Sequence, residues 1–169
     1  MVESNGTLES IQQQITRGDI PGALKNLDSL DPEKRNSVEG LYLSAVCYRY
    51  LRNSGLCLQA LDQLQKLAPD YARGYQERGH LLRAMGREDA ALQSYRQACM
   101  HNPALIASWR AQLEIYQLRG VSTGKGHIAA QVERLAKLPK PLLMSSDMLH
   151  EGKLLKAEHI CRSFMQKKS

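Results

Sequence analysis

Residues 72–105 read ARGYQERGHLLRAMGREDAALQSYRQACMHNPAL, and this stretch decides the fold. Large side chains stand at its fourth and twenty-fourth positions, Tyr75 and Tyr95. Small residues stand at its eighth, twentieth and twenty-seventh positions, which are Gly79, Ala91 and Ala98. A small residue lets two helices approach closely, and a large residue fills the space beside the contact. The spacing therefore predicts two packed helices with a turn between them.

Proline gives this pattern a period. Pro69 and Pro103 lie 34 residues apart, and each follows a helical run. Because proline lacks an N–H group and restricts the residue before it, each marks the end of a second helix. A shift of one period places comparable residues in the same slots: Leu41, Ala45, Tyr48, Cys57, Leu61 and Leu64. Self-similarity at this period predicts a stack of helix pairs.

The pattern resembles the tetratricopeptide repeat (TPR), whose signature residues stand at these positions. The resemblance implies an all-α, right-handed superhelical solenoid of about five helix-turn-helix repeats. We expect one array, with repeats at about 4–37, 38–71, 72–105, 106–137 and 138–169. The turn GVSTGKGH of the fourth repeat is longer than usual, and helix two resumes near His127. No polar capping helix follows the last repeat, so we expect a fragment of a longer protein.

Composition narrows the functional classes. The chain has a net charge of +6, which permits acidic peptides, anionic membranes or nucleic acid as partners. Most aromatic residues occupy packing slots, which disfavours the stacking platforms of nucleic-acid binding. The sequence has neither a signal peptide nor the roughly 18 consecutive apolar residues of a membrane helix. A cytoplasmic location is predicted.

The sequence contains no recognisable phosphate-binding, zinc-binding or catalytic motif. The loop GVSTGKG lacks the spacing and the final Ser or Thr of a phosphate-binding loop. The cysteines and histidines show no zinc-ligand spacing, and all four cysteines fall in apolar helical patterns that predict burial. We predict no catalytic, cofactor-binding or metal-binding residues, and we expect this fragment not to be an enzyme.

A candidate binding site follows from the TPR resemblance. The first helices of such repeats line a concave groove, and positions two, five, nine, twelve and thirteen point into it. The predicted groove residues are Glu39, Tyr42, Val46, Arg49, Tyr50, Arg73, Gln76, His80, Arg83, Arg110, Glu114 and Gln117. Arginine and tyrosine are favoured at binding hot spots, and guanidinium groups pair with carboxylates. We therefore predict a protein-interaction scaffold whose groove holds a polypeptide segment of acidic character.

Alternatives remain open at this point. The chaperone-tail clamp of some TPR proteins is absent, because its slots hold Leu8, Gln12, Tyr42 and Val46. The segments ERLAKLPKPLL and HEGKLLKAEHICRSFMQKK are similar to the repeat region of bacterial TPR-sulfotransferases. That resemblance implies an array that positions a substrate for a catalytic domain outside this chain. A third alternative is self-association through the uncapped C-terminal repeat.

Overall fold

The fold is entirely helical over residues 7–167, the part of the chain that the computed structural model describes. Eleven helices and no strand form there, in agreement with the predicted fold class. The helices are α1 (Leu8–Thr16), α2 (Ile20–Asp28), α3 (Pro32–Arg35), α4 (Val38–Tyr50), α5 (Ser54–Leu67), α6 (Ala72–Ala84), α7 (Glu88–His101), α8 (Ile106–Leu118), α9 (Lys125–Ala136), α10 (Lys140–His150) and α11 (Leu154–Gln166).

Five helix pairs make up the array: α1–α2, α4–α5, α6–α7, α8–α9 and α10–α11. From α2 to α8, the second helix of each pair also packs on the first helix of the next pair. The one-turn helix α3 is additional, and it was not predicted. Asp31 at its N-cap and Pro32 at its first position are the local signals that favour it. The repeat boundaries given above stay a prediction.

The turn inside each pair uses a left-handed backbone at one recurring position. Gly18, Gly86, Gly120 and Gly152 have φ between 64° and 86° there, and Arg52 has a φ of 57° at the corresponding position. Glycine adopts this conformation without steric cost, because it has no Cβ atom. The glycine spacing that is visible in the sequence therefore fixes where each helix pair folds back.

The apolar core runs along the array as four clusters of buried residues. Ile11, Leu27 and Leu43 are central to the first cluster, while Tyr95 and Ile115 are central to the third. None of the four clusters includes a residue of α10 or α11. The last pair packs mainly on itself, and the regular stacking of pair on pair weakens between α9 and α10. This break allows the last pair to turn toward the beginning of the array.

Candidate peptide-binding groove

A cavity of about 770 Å³ lies between the beginning and the end of the array. Its walls come from α1, α4, the start of α6, α10 and α11. We call this space the groove. Its lining residues are Glu9, Gln12, Gln13, Glu39, Tyr42, Tyr71, Arg73, Met144, Met148, Glu151, Lys153, Leu155, Lys156, His159 and Ile160. Both apolar and charged side chains are present, so the groove suits an amphipathic ligand.

Three of the predicted groove residues line this space. They are Glu39 and Tyr42 on α4, and Arg73 in the first turn of α6. Tyr42 stacks edge-on against Tyr71, with 5.7 Å between the ring centroids. Burial raises the pKa of Tyr42 to about 12, so its hydroxyl stays neutral at physiological pH. These two rings form a rigid aromatic wall, which is the kind of surface that anchors a peptide side chain.

Arg73 forms ion pairs with two carboxylates at the groove. Its Nη2 donates to Oδ2 of Asp147, and its Nε donates to Oε1 of Glu151. Desolvation opposes the guanidinium charge, but Tyr42 and the two carboxylates outweigh it and raise the pKa of Arg73 above its ordinary range. An arginine at a predicted groove position thus holds carboxylates, although they belong to the same chain.

The arginines farther along the first helices are already paired. Arg49 Nε lies 2.6 Å from Oε2 of Glu77, and Arg83 Nη1 lies 2.7 Å from Oε2 of Glu114. Each pair joins the first helix of one repeat to the first helix of the next. Arg110 is exposed, and it forms no ion pair with any other residue in 7–167. Outside the groove cavity, Arg110 is therefore the predicted arginine most available to a partner.

Other predicted groove residues form contacts inside the helical array. Val46 and Gln76 are buried, and Ser108 Oγ donates to Oε1 of Gln76 at 3.0 Å. His80 is half-buried, with its Nδ1 2.8 Å from the hydroxyl of the fully buried Tyr95. These contacts tie first helices to neighbouring helices. A polypeptide in the groove cavity would not reach them.

Tyr50 and Gln117 are exposed at the ends of their helices, and neither lines the groove cavity. The Arg49 guanidinium lies over the Tyr50 ring, 4.6 Å from the ring centroid. A cation–π contact of this kind holds the exposed ring in place. Tyr50 therefore supports the Arg49–Glu77 pair.

Sequence reasoning missed the residues that close the groove. Asp147 lies on α10, Glu151 directly after α10, and Lys156 on α11. The Nζ atom of Lys156 is 2.8 Å from Oε1 of Glu9 on α1. The 34-residue period carries no information on contacts between the first pair and the last. The signal that could have found them is the acidic pair Asp147 and Glu151, four residues apart on one helix.

The predicted burial of the cysteines holds for three of the four. Cys47, Cys57 and Cys99 are buried, and burial raises their pKa values to about 11, 11 and 12. These thiols are not nucleophiles at neutral pH. The prediction was wrong for Cys161, which is half-buried because α11 has no further helix packed on its outer side within residues 7–167.

Within residues 7–167, no three His, Cys, Asp or Glu side chains gather closely enough to hold a metal ion. Among the helices of that same range, none combines the length and the apolar character that crossing a membrane requires.

Comparison with known proteins agrees with the repeat pattern. The family described as Tetratricopeptide repeat matches residues 72–104. No curated protein matches the chain. The resemblance to TPR-sulfotransferases is not tested by this match, and it stays a prediction.

Solved structures of MamA share the fold. One crystal structure has a TM-score of 0.61 at 17% identity and covers 79% of each chain. A second has a TM-score of 0.63 at 18% identity, covering 76% of this chain and 70% of that chain. A MamA RS-1 ArsTM double mutant has a TM-score of 0.61 at 16% identity, covering 94% and 90%. Residues 72–104 therefore match a tetratricopeptide repeat, and the helical array that contains them has a fold similar to that of MamA.

Proposed function

We propose that this chain is a non-catalytic protein-interaction scaffold that holds an amphipathic polypeptide segment in its groove. The observation that carries the proposal is the cavity of about 770 Å³, which three of the predicted groove residues line. Such a volume accommodates several residues of a peptide. The first-helix position of Glu39, Tyr42 and Arg73 is the position that repeat arrays present to ligands.

The chemistry of the lining favours a segment with both apolar and acidic side chains. Tyr42, Tyr71, Leu155 and Ile160 offer apolar area to such a segment. Arg73 supplies the carboxylate preference, because its guanidinium already holds two carboxylates. Over the whole lining, Arg73 and two lysines balance three glutamates, so charge contributes selectivity and apolar contact contributes most of the affinity.

A peptide-display selection tests this function. Selected peptides are bound to the chain and to the variant Leu155→Arg, which changes a lining residue that is 82% exposed and therefore leaves the fold intact. We expect affinity to fall about tenfold or more, the loss that marks an interface hot spot. The matched control is Leu67→Arg on the second helix α5, where the side chain is 54% exposed and lies outside the groove. Equal affinity for the two variants would contradict the proposed function.

The ion pairs along the first helices limit which arginine variants are informative. Charge reversal at Arg49 or Arg83 would place a glutamate opposite Glu77 or Glu114. Such a change disturbs the array itself, because like charges in contact repel. Arg110→Glu is the cleaner test of a binding site that extends along α8, since Arg110 is exposed.

A further inference from the structure

The last helix pair is attached to the array through a pair of carboxylates. Asp147 and Glu151 stand one helical turn apart on and just after α10, and both accept hydrogen bonds from Arg73. The residues that meet here are 74 and 78 positions apart in the chain. Side chains four apart on a helix lie on the same face. The guanidinium of Arg73 therefore binds two carboxylates that lie on one face of a helix.

The second oxygen of each carboxylate is also held. Asn102 Nδ2 donates to Oδ1 of Asp147 at 2.7 Å, and Asn102 is only 1% exposed. Its own side-chain oxygen accepts from the backbone N–H of Ala104 at 3.0 Å, which orients the amide. Lys153 Nζ lies 2.8 Å from Oε2 of Glu151. Arg73 and Asn102 thus form a preorganised receptor for acidic side chains on the array itself.

Apolar packing contributes little to this attachment. The four apolar clusters contain no residue of α10 or α11. The buried residues of the two helices are Ser145 and Ala157, and Ser145 Oγ donates to the carbonyl of Ala157 within the pair. A further ion pair with the array, between Lys156 and Glu9, joins two side chains that are each more than half exposed. Exposed ion pairs are weak and are screened by salt.

We propose that α10 is a displaceable internal ligand of the groove, and that the partner is an amphipathic helix carrying two carboxylates four residues apart. This inference rests on the proposed function and specifies its partner. Such a helix would place its acids on Arg73 and Asn102 and its apolar face against Tyr42 and Tyr71. Displacement of α10 would enlarge the groove, because Met144 and Met148 on α10 form part of its wall.

The test uses the full chain and a fluorescent, helix-stapled peptide with the sequence of residues 138–153. Its affinity is measured by anisotropy for the wild type, for Asp147→Asn/Glu151→Gln and for Arg73→Gln. We expect the double variant to bind the peptide about tenfold more tightly than the wild type, because its own α10 competes less well. Arg73→Gln should lose binding, and a peptide with both acids neutralised should bind to none of the chains.

The matched control for the double variant is Glu158→Gln. This carboxylate pairs with Arg162 on the outer part of α11, so its loss should leave peptide affinity at the wild-type level. Circular dichroism of each variant reports whether the helices remain. Equal affinity of the peptide for wild type and double variant, or binding that survives Arg73→Gln, would overturn the inference.

A second measurement needs no variant. Hydrogen exchange of the wild type is followed with and without a saturating groove peptide from the display selection. We expect the amides of α10 to exchange faster in the complex, because the helix has been displaced. Unchanged or slower exchange would overturn the inference while a Leu155-dependent peptide affinity still supported the proposed function. If α10 did not exchange faster in the complex and Leu155→Arg did not weaken peptide binding, the proposed function would be rejected as well.

Discussion

Gly79 shows at the scale of one residue why the repeat needs a small side chain. A Cβ atom at this position would lie 2.6 Å from Cε1 of Tyr95, whose ring is fully buried. Overpacking of this kind costs about 1–3 kcal/mol. The higher helix propensity of alanine returns about 1 kcal/mol. We therefore expect Gly79→Ala to lower the free energy of unfolding by about 1 kcal/mol in urea denaturation, which is the middle of the overpacking range less the gain in helix propensity.

Gly126→Ala is the control for this substitution. Gly126 lies in α9 with no atom within 4 Å of its ideal Cβ position, so alanine should not destabilise the protein there. Equal stability of Gly79→Ala and the wild type would show that Tyr95 does not rest on the glycine.

Arg52 is the residue that departs from the glycine pattern of the turns. It has a φ of 57°, where the other helix pairs have glycine, and its side chain is exposed. A left-handed backbone costs a non-glycine residue about 1–2 kcal/mol. Part of the gain from glycine is lost to the greater freedom of the unfolded chain. We expect Arg52→Gly to raise the thermal stability slightly, by about 0.5 kcal/mol.

The converse substitution Gly86→Arg places the same residue type in the next turn, where φ is 73°. It should cost about 1 kcal/mol in the same thermal denaturation assay. A loss of stability in Arg52→Gly would mean that the arginine side chain stabilises its turn.

His80 links stability to pH. Burial is the main cause that lowers the pKa of His80, and the nearby charges of Arg49 and Arg83 lower it further. The negative charge of Glu77 acts in the opposite direction and raises this pKa. The folded protein therefore resists protonation of this imidazole, whereas the unfolded chain takes up a proton near pH 6.5. The contribution of neutral His80 is present above about pH 6.5 and is lost as the pH falls toward the lowered folded pKa.

We expect His80→Gln to flatten the decline in unfolding free energy between about pH 7.5 and about pH 5. Urea denaturation at several pH values measures this decline. His159→Gln, which changes an exposed histidine, should leave it unchanged. The same decline in His80→Gln and the wild type would contradict the account.

At the scale of helices, the ion pairs between successive first helices differ in how far they are buried, and we expect them to differ in their contribution to stability. The side chain of Glu77 is 6% exposed, whereas that of Glu114 is 56% exposed. Removing Arg49 would leave a buried charge without its partner, and we expect Arg49→Met to cost about 3 kcal/mol. Arg83→Met should cost less than about 1 kcal/mol, because water already solvates Glu114. Urea denaturation compares the two variants, and equal losses would show that burial does not control these pairs.

Helix positions were largely predictable from sequence because the signals are local. Tyr75, Gly79 and Tyr95 define one pair, and the period carries that pattern to its neighbours. Helix two of the fourth repeat, predicted to resume near His127, begins at Lys125. The short helix α3 was missed because it adds a turn between repeats, where the period does not apply.

At the scale of the whole molecule, the groove was only partly predictable. Glu39, Tyr42 and Arg73 were found because the repeat register places them on first helices. Their partners on α10 and α11 were not found, since those contacts depend on how the last pair turns after α9. Val46 and Gln76 show the reverse case, in which a groove position becomes buried against neighbouring helices.

The proposed role of the groove as a polypeptide-binding site is tested most directly by an NMR footprint of a peptide from the display selection. We expect chemical-shift changes to concentrate at Tyr42, Arg73 and Leu155, which line one cavity. Changes confined to the second helices α5 and α7, with the groove residues unaffected, would contradict it.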